Sequence, residues 1–171
     1  MLQNSDTRRD LKIVPPKGKR MKLTTAQIGK CGELYCQFRL LQLGIESAPM
    51  TTDSGIDLVA YSAGRKVSFT IQVKTCHQST PGGGRGRMSI GWWIPTDCPA
   101  DYVALVDIQT SRVWLFTLPE ITVFAQQKPA SRLHFFMTTD PSASDRKDGK
   151  LYHDYDFQKY LLENAAPRHG I

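Results

Sequence analysis

Two stretches, Ser54-Gly55-Ile56-Asp57-Leu58-Val59-Ala60 and Phe69-Thr70-Ile71-Gln72-Val73-Lys74-Thr75, decide how the rest of the chain is read. Both are rich in β-branched and apolar residues and predict strands at 56–61 and 66–75. Between them, Ser62-Ala63-Gly64-Arg65 has the length and composition of a hairpin turn. Polar groups interrupt both strands. Because strand side chains alternate, Gln72 and Lys74 share one face while Ile71 and Val73 take the other and supply core. The hairpin can then bring Asp57 beside the Gln72/Lys74 pair. A carboxylate, an amide oxygen and an ammonium converging at a sheet edge form a hard-oxygen site for Mg²⁺ with a lysine beside it, which suits phosphodiester hydrolysis. A plain Asp57–Lys74 ion pair is the duller reading of the same residues.

On the N-terminal side, Thr24 and Thr25 can cap a helix in which Ile28, Cys31, Leu34, Tyr35, Phe38 and Leu41 recur at three- and four-residue steps until Gly44. This predicts an amphipathic helix with those residues as its apolar face, followed by a strand at 45–49 that opens a β-meander. On the C-terminal side, a flexible, basic Gly-rich stretch, Pro81-Gly82-Gly83-Gly84-Arg85-Gly86-Arg87, precedes a strand at 88–94. There Trp92 and Trp93 must face opposite ways, so at least one is core. Further strands are predicted at 102–108, 112–117 and 132–138, with a short helix from Pro119-Glu120. A loop at 139–150 leads to a closing helix bearing Tyr155, Phe157, Tyr160, Leu161 and Leu162. The order argues for a single α/β domain over residues 24–166, a mixed sheet flanked by helices, with a short tail at 167–171.

With 171 residues, 40% hydrophobic, one sizeable core is within reach and two full domains are not expected. No apolar run approaches the length of a membrane span, and the N-terminus lacks a secretory pattern, so an intracellular, cytoplasmic protein is expected. The four cysteines, Cys31, Cys36, Cys76 and Cys98, form neither a zinc-ligand spacing nor a disulfide framework and read as free thiols. Net charge is +6, and residues 1–23 hold seven bases against two acids, so five of those six charges lie there. That segment, which includes Lys19 and Arg20, reads as a flexible basic arm, either tracking a phosphate backbone or simply solvated. No P-loop or dinucleotide fingerprint is present, which argues against a nucleotide cofactor and a small-molecule enzyme.

The residues already quoted, with Gly32-Glu33 on the first helix, resemble the PD-(D/E)XK nuclease superfamily, the restriction-endonuclease-like fold, in a Gln-x-Lys form. Over about residues 24–78 the chain is most similar to group I intron-associated homing endonucleases and more distantly to archaeal Holliday-junction resolvases. The later Ala100-Asp101-Tyr102-Val103-Ala104-Leu105-Val106 and Arg112-Val113-Trp114-Leu115-Phe116 add a looser match. The resemblance implies that Asp57 is the central metal-binding carboxylate, Glu33 a helix-borne acid contacting the metal directly or through water, and Lys74 the lysine that orients the attacking water. Gln72 stands where a second acid is usual, and its neutral oxygen draws a cation less strongly. Ile56 stands where the motif's proline would be.

The resulting expectation is a Mg²⁺-dependent DNA endonuclease, with Mn²⁺ able to substitute. Asp57, Glu33, the Gln72 amide and the Val73 carbonyl would hold the metal, and Lys74 would assist the scissile phosphate. Arg85, Arg87, Lys19 and Arg20 are the candidate DNA contacts. Cutting two strands calls for two sites, hence a homo-oligomer, a dimer or a tetramer. The alternatives are a catalytically silent DNA-binding or assembly module with the same fold and a structure-specific resolvase. His77 is left outside the catalytic set.

Overall fold

The computed structural model describes residues 22–52, 54–144 and 151–171; the basic arm, with Lys19 and Arg20, lies almost entirely outside them. Helix α1 (Thr25–Gln42) starts where the sequence calls for it. The Thr24 hydroxyl accepts from the Gln27 N–H, and the Gln27 side chain reaches back to the Thr24 N–H at 2.9 Å, a reciprocal capping box. Strands β1 (Ile45–Pro49), β2 (Leu58–Ser62) and β3 (Val67–Cys76) form an antiparallel meander. The chain then departs into β4 (Thr80–Pro81) and β5 (Met88–Pro95) before β6 (Tyr102–Asp107) returns to pair in parallel with β3, and β7 (Arg112–Phe116) closes the sheet. After α2 (Leu118–Phe124) come β8 (Arg132–Thr138), a 3₁₀ segment at Asp154–Tyr160 and α3 (Leu162–Arg168).

The main sheet runs β1-β2-β3-β6-β7, mixed and five-stranded, and helices flank it as the fold class expected. The strands at 88–95 and 132–138 do not join it. They form a second, three-stranded antiparallel sheet, β4-β5-β8, because β5 pairs with β8 from Ser89 to Pro95. The Gly-rich stretch, expected as a flexible loop, forms the tip of the β4–β5 hairpin, closed by Gly82 N–H to the Arg87 carbonyl and Gly86 N–H to the Gly82 carbonyl. The closing helix divides into the 3₁₀ turn and α3.

Two apolar clusters sit on opposite faces of the main sheet. One, with Cys36, Leu40, Leu58, Ile71, Val73, Leu115, Leu162 and Ala165, lies under α1 and α3. The other, with Trp92, Leu105, Trp114, Phe116, Phe135 and Phe157, fills the space to the second sheet. Strands β6 and β7 are therefore covered on both faces and read as near-continuous apolar runs, whereas β2 is covered on one, so Leu58 and Ala60 are buried and Val59 and Tyr61 exposed. Each fully buried large side chain, such as Phe116 or Leu105, contributes roughly 1.5–3 kcal/mol. Trp92 ties the layers together, its indole N–H donating to the Val106 carbonyl at 3.2 Å.

The phase of α1 differs from the periodic reading. Gly32, Cys36 and Leu40 face the sheet, while Leu34, Phe38 and Leu41 point to solvent and Cys31 is exposed. The cause is close approach: a Cβ at position 32 would lie 1.8 Å from Thr75 Oγ1 on β3, so the helix can rest there only through a glycine. At the far end of the chain, α3 carries Arg168 to Glu120 at 3.3 Å, and His169 and Ile171 pack against Tyr102 and the first cluster.

Candidate active site

Asp57 lies one residue before β2, and continuing the β2–β3 register places it opposite Gln72. Both sides of Asp57 are tied to β3: its N–H donates to the Ile71 carbonyl at 2.9 Å, and its Oδ2 accepts the Val73 N–H at 2.6 Å. The approach to it needs Gly55, which has φ +79° and whose absent Cβ would come within 2.9 Å of Pro99 Cδ. That turn brings Gly55 close to the Gln72 amide, with 3.9 Å from its Cβ position to Nε2.

Gln72 is 4% exposed, and its Oε1 is buried without a hydrogen-bond partner. A buried amide oxygen left in that condition costs free energy, and Thr75 Oγ1, Trp114 Nε1 and His153 Nδ1 are in the same condition. Lys74 is half-buried two residues on, and the register sets it beside Leu105 on the same face of β3 as Gln72. Ile71 and Val73 sit in the cluster under α1, as strand alternation requires.

Two open hollows of about 230 Å³ each border the segment leading into β2. Asp57 and Glu33 share one with Met50, Thr51, Thr52 and Ile56, so the structure brings the helix-borne acid to the strand-borne one. Glu33 also accepts from Lys30 Nζ at 2.8 Å, an exposed pair one helical turn apart. Gln72 lines the other hollow, with Ser54, Gly55, Pro95, Asp97, Cys98 and Pro99. Among the described residues no three His, Cys, Asp or Glu side chains converge into a metal-binding group, so an all-acid ligand cage is not formed here.

The electrostatics link the two sides. Burial pushes the Cys36 thiol, under α1, up to about 12, and the Asp57 carboxylate pushes it the same way. On the other face, burial raises the Cys98 thiol; Lys74 lowers it, and Asp57 and Asp97 raise it. Asp57 is thus felt from both faces of the sheet, and Lys74 and Asp97 lie within electrostatic reach of the same thiol.

The place of Asp97 and Cys98 in the Gln72 hollow escaped the reading of the sequence. Nothing in Thr96-Asp97-Cys98-Pro99 distinguishes it from an ordinary turn, and only the return of the chain from β5 to β6 places it beside Gln72. Of the candidate DNA contacts, Arg85 is exposed at the β4–β5 tip, while Arg87 is half-buried and its guanidinium donates to the Ser144 carbonyl. Lys19 and Arg20 lie outside the described residues. No helix among the described residues is long and apolar enough to cross a membrane.

No protein-family model matches the chain, and no curated protein matches it. Among solved structures it is similar to that of a bacterial homing endonuclease, I-Ssp6803I, with a TM-score of 0.52 and 15% identity, over 86% of this chain and 99% of that one. The likeness at this identity is one of fold: the mixed sheet flanked by helices is an architecture that a homing endonuclease also uses.

Proposed function

We propose that the chain is a Mg²⁺-dependent DNA endonuclease of the PD-(D/E)XK type in its Gln-x-Lys form. The observation that carries this reading is the junction of β2 and β3: Asp57 is fixed through its Oδ2 to the Val73 N–H, beside a buried Gln72 Oε1 that lacks a hydrogen-bond partner. Those oxygens, with Glu33 in the Asp57 hollow, fit a hard cation held by few charges. The Val73 carbonyl completes the proposed donor set. When bound, Mg²⁺ would supply Lewis-acid activation of water and of the phosphate. Asp57 and Glu33 hold the acidic side of the cleft, Gln72 contributes a neutral oxygen, and the Lys74 ammonium stabilises charge that grows on the scissile phosphate. Arg85 and Arg87, with Lys19 and Arg20 of the arm, are proposed to contact the DNA backbone.

The protein acts as a homo-oligomer in this reading, one site for each strand, and Mn²⁺ substitutes for Mg²⁺. The outward Leu34, Phe38 and Leu41 of α1 offer apolar area for contact between copies. The Glu33–Lys30 pair and the absence of a converging acidic cluster among the described residues favour, as a second reading, a module that binds DNA without cutting it.

Plasmid nicking and linearisation by the purified protein with Mg²⁺ or Mn²⁺ separates the two. The endonuclease reading expects cleavage that Asp57→Ala abolishes and Lys74→Ala lowers by on the order of 10²–10³. Salt-dependent binding with no cleavage in either metal would sink it in favour of the silent module, and preferential cutting of a branched substrate would identify a resolvase.

A further inference from the structure

The second sheet presents an outer face that the candidate cleft does not use. Along β5 and β8, Ile90, Trp92, Ile94, Leu133, Phe135 and Met137 point into the core, so Trp93, Arg132, His134 and Phe136 point out. Trp92 is 2% exposed and Trp93 is 43% exposed. The Trp93 indole lies flat on the His134 imidazole, with centroids 4.1 Å apart and planes 6° apart. Arg132 places its guanidinium 5.4 Å from the Trp93 ring centroid, and Phe136 follows His134 at 5.2 Å. A row of flat groups therefore crosses the two strands.

The two strands that carry the row hold no carboxylate; Asp97 and Asp140 lie just beyond their ends, Asp140 within electrostatic reach of Arg87. Residues 77–96 and 121–139 contain Arg85, Arg87, Lys128 and Arg132 and no aspartate or glutamate, in a chain with 16 acids. Pro95, the last residue of β5, lines the Gln72 hollow, so the ribbon starts at the cleft. Its eight residues extend about 25 Å from there. That reach corresponds to about seven base pairs at 3.4 Å each, and a β-ribbon is of a width the major groove admits.

We infer that the outer face of β5 and β8 docks in a groove of duplex DNA, with Trp93, His134 and Arg132 in the contact and Arg85 at the far end. The inference rests on the nuclease reading and names the surface that would hold substrate across the cleft. A face with cations, an indole and imidazole N–H and no carboxylate suits base edges flanked by phosphates better than an apolar protein surface.

The test uses acrylamide quenching of tryptophan fluorescence in EDTA, with a mixed-sequence duplex of roughly 30 base pairs as the probe, long enough to cover the ribbon. Trp92 and Trp114 are buried, so the quenchable signal belongs to Trp93. Adding duplex should remove that signal from the wild type, and Trp93→Phe should lack it from the start. Arg132→Ala should bind the same duplex more weakly, with a salt slope smaller by about one. The inference is overturned if poly-L-glutamate protects Trp93 as well as DNA does, or if protection follows protein concentration without DNA, which would point to an acidic partner or a second copy. Plasmid cleavage with Trp93 still quenchable in the presence of duplex would overturn it and leave the nuclease reading standing. A wild type that neither binds nor cuts duplex would remove both.

Discussion

Gln72 sets the character of the cleft because it places a neutral oxygen, buried and without a hydrogen-bond partner, opposite Asp57. Gln72→Glu would put a second negative charge in that buried position, which costs about 3–5 kcal/mol when nothing compensates it. The metal-free variant should therefore melt below the wild type, and Mg²⁺ should raise its melting temperature by more than it raises the wild type's. Melts with and without Mg²⁺ check this, and a variant insensitive to the ion would remove Gln72 from the proposed metal site. Asp57, Gln72 and Lys74 were legible in the sequence as candidates because polar groups in apolar strands stand out by period. Asp97 was not, since an acid in a turn is ordinary until the fold decides which wall it joins.

At the scale of elements, the contact that brings Glu33 to the cleft is made by its neighbour. Gly32 lets α1 rest on β3, and an alanine there would drive its Cβ to 1.8 Å from Thr75 Oγ1. Gly32→Ala should destabilise the protein by about 1–3 kcal/mol through overpacking and displace Glu33 as the helix lifts. Thr75→Ala in the same chain should recover part of the loss, a non-additivity that urea denaturation of the four-member cycle measures. The ends of α1 were legible through Thr24 and Gly44, but its phase was not. Apolar spacing favoured Leu34, Phe38 and Leu41, whereas the sheet selected the small Gly32 and Cys36, because nearness of backbones outweighed side-chain size. Strands β5 and β8 were likewise legible as strands, yet alternation carries no information on partners, and their separation into a second sheet came from pairing at long range.

For the molecule as a whole, two histidines couple stability to pH. Burial lowers His134, stacked under Trp93; it also lowers His169, packed on Tyr102, where Glu120 opposes the shift and Arg168 adds to it. A histidine harder to protonate when folded means that the unfolded chain binds more protons. Its stability contribution is complete above the ordinary histidine value of 6.5 and is lost as pH falls toward the lowered folded values. Thermal melts from pH 7.5 to about 5 should show a modest decline below about 6.5, which the double variant His134→Phe, His169→Gln flattens. An unchanged profile in the double variant would assign the decline to other groups.

The parallel pairing of β3 with β6 has a consequence in time. Ile71 meets Tyr102 only after the chain has left the main sheet, laid down β4 and β5, and come back. Closing such a span is slow compared with closing the β2–β3 hairpin, whose partners are near neighbours in sequence. A chain emerging from the ribosome can hold Asp57, Gln72 and Lys74 in place well before Pro95, Asp97, Cys98 and Pro99 arrive to wall the hollow. The hairpin closes over a short span and the wall of the hollow over a longer one, so the cleft is expected to take its shape after the strands that carry its polar residues have paired.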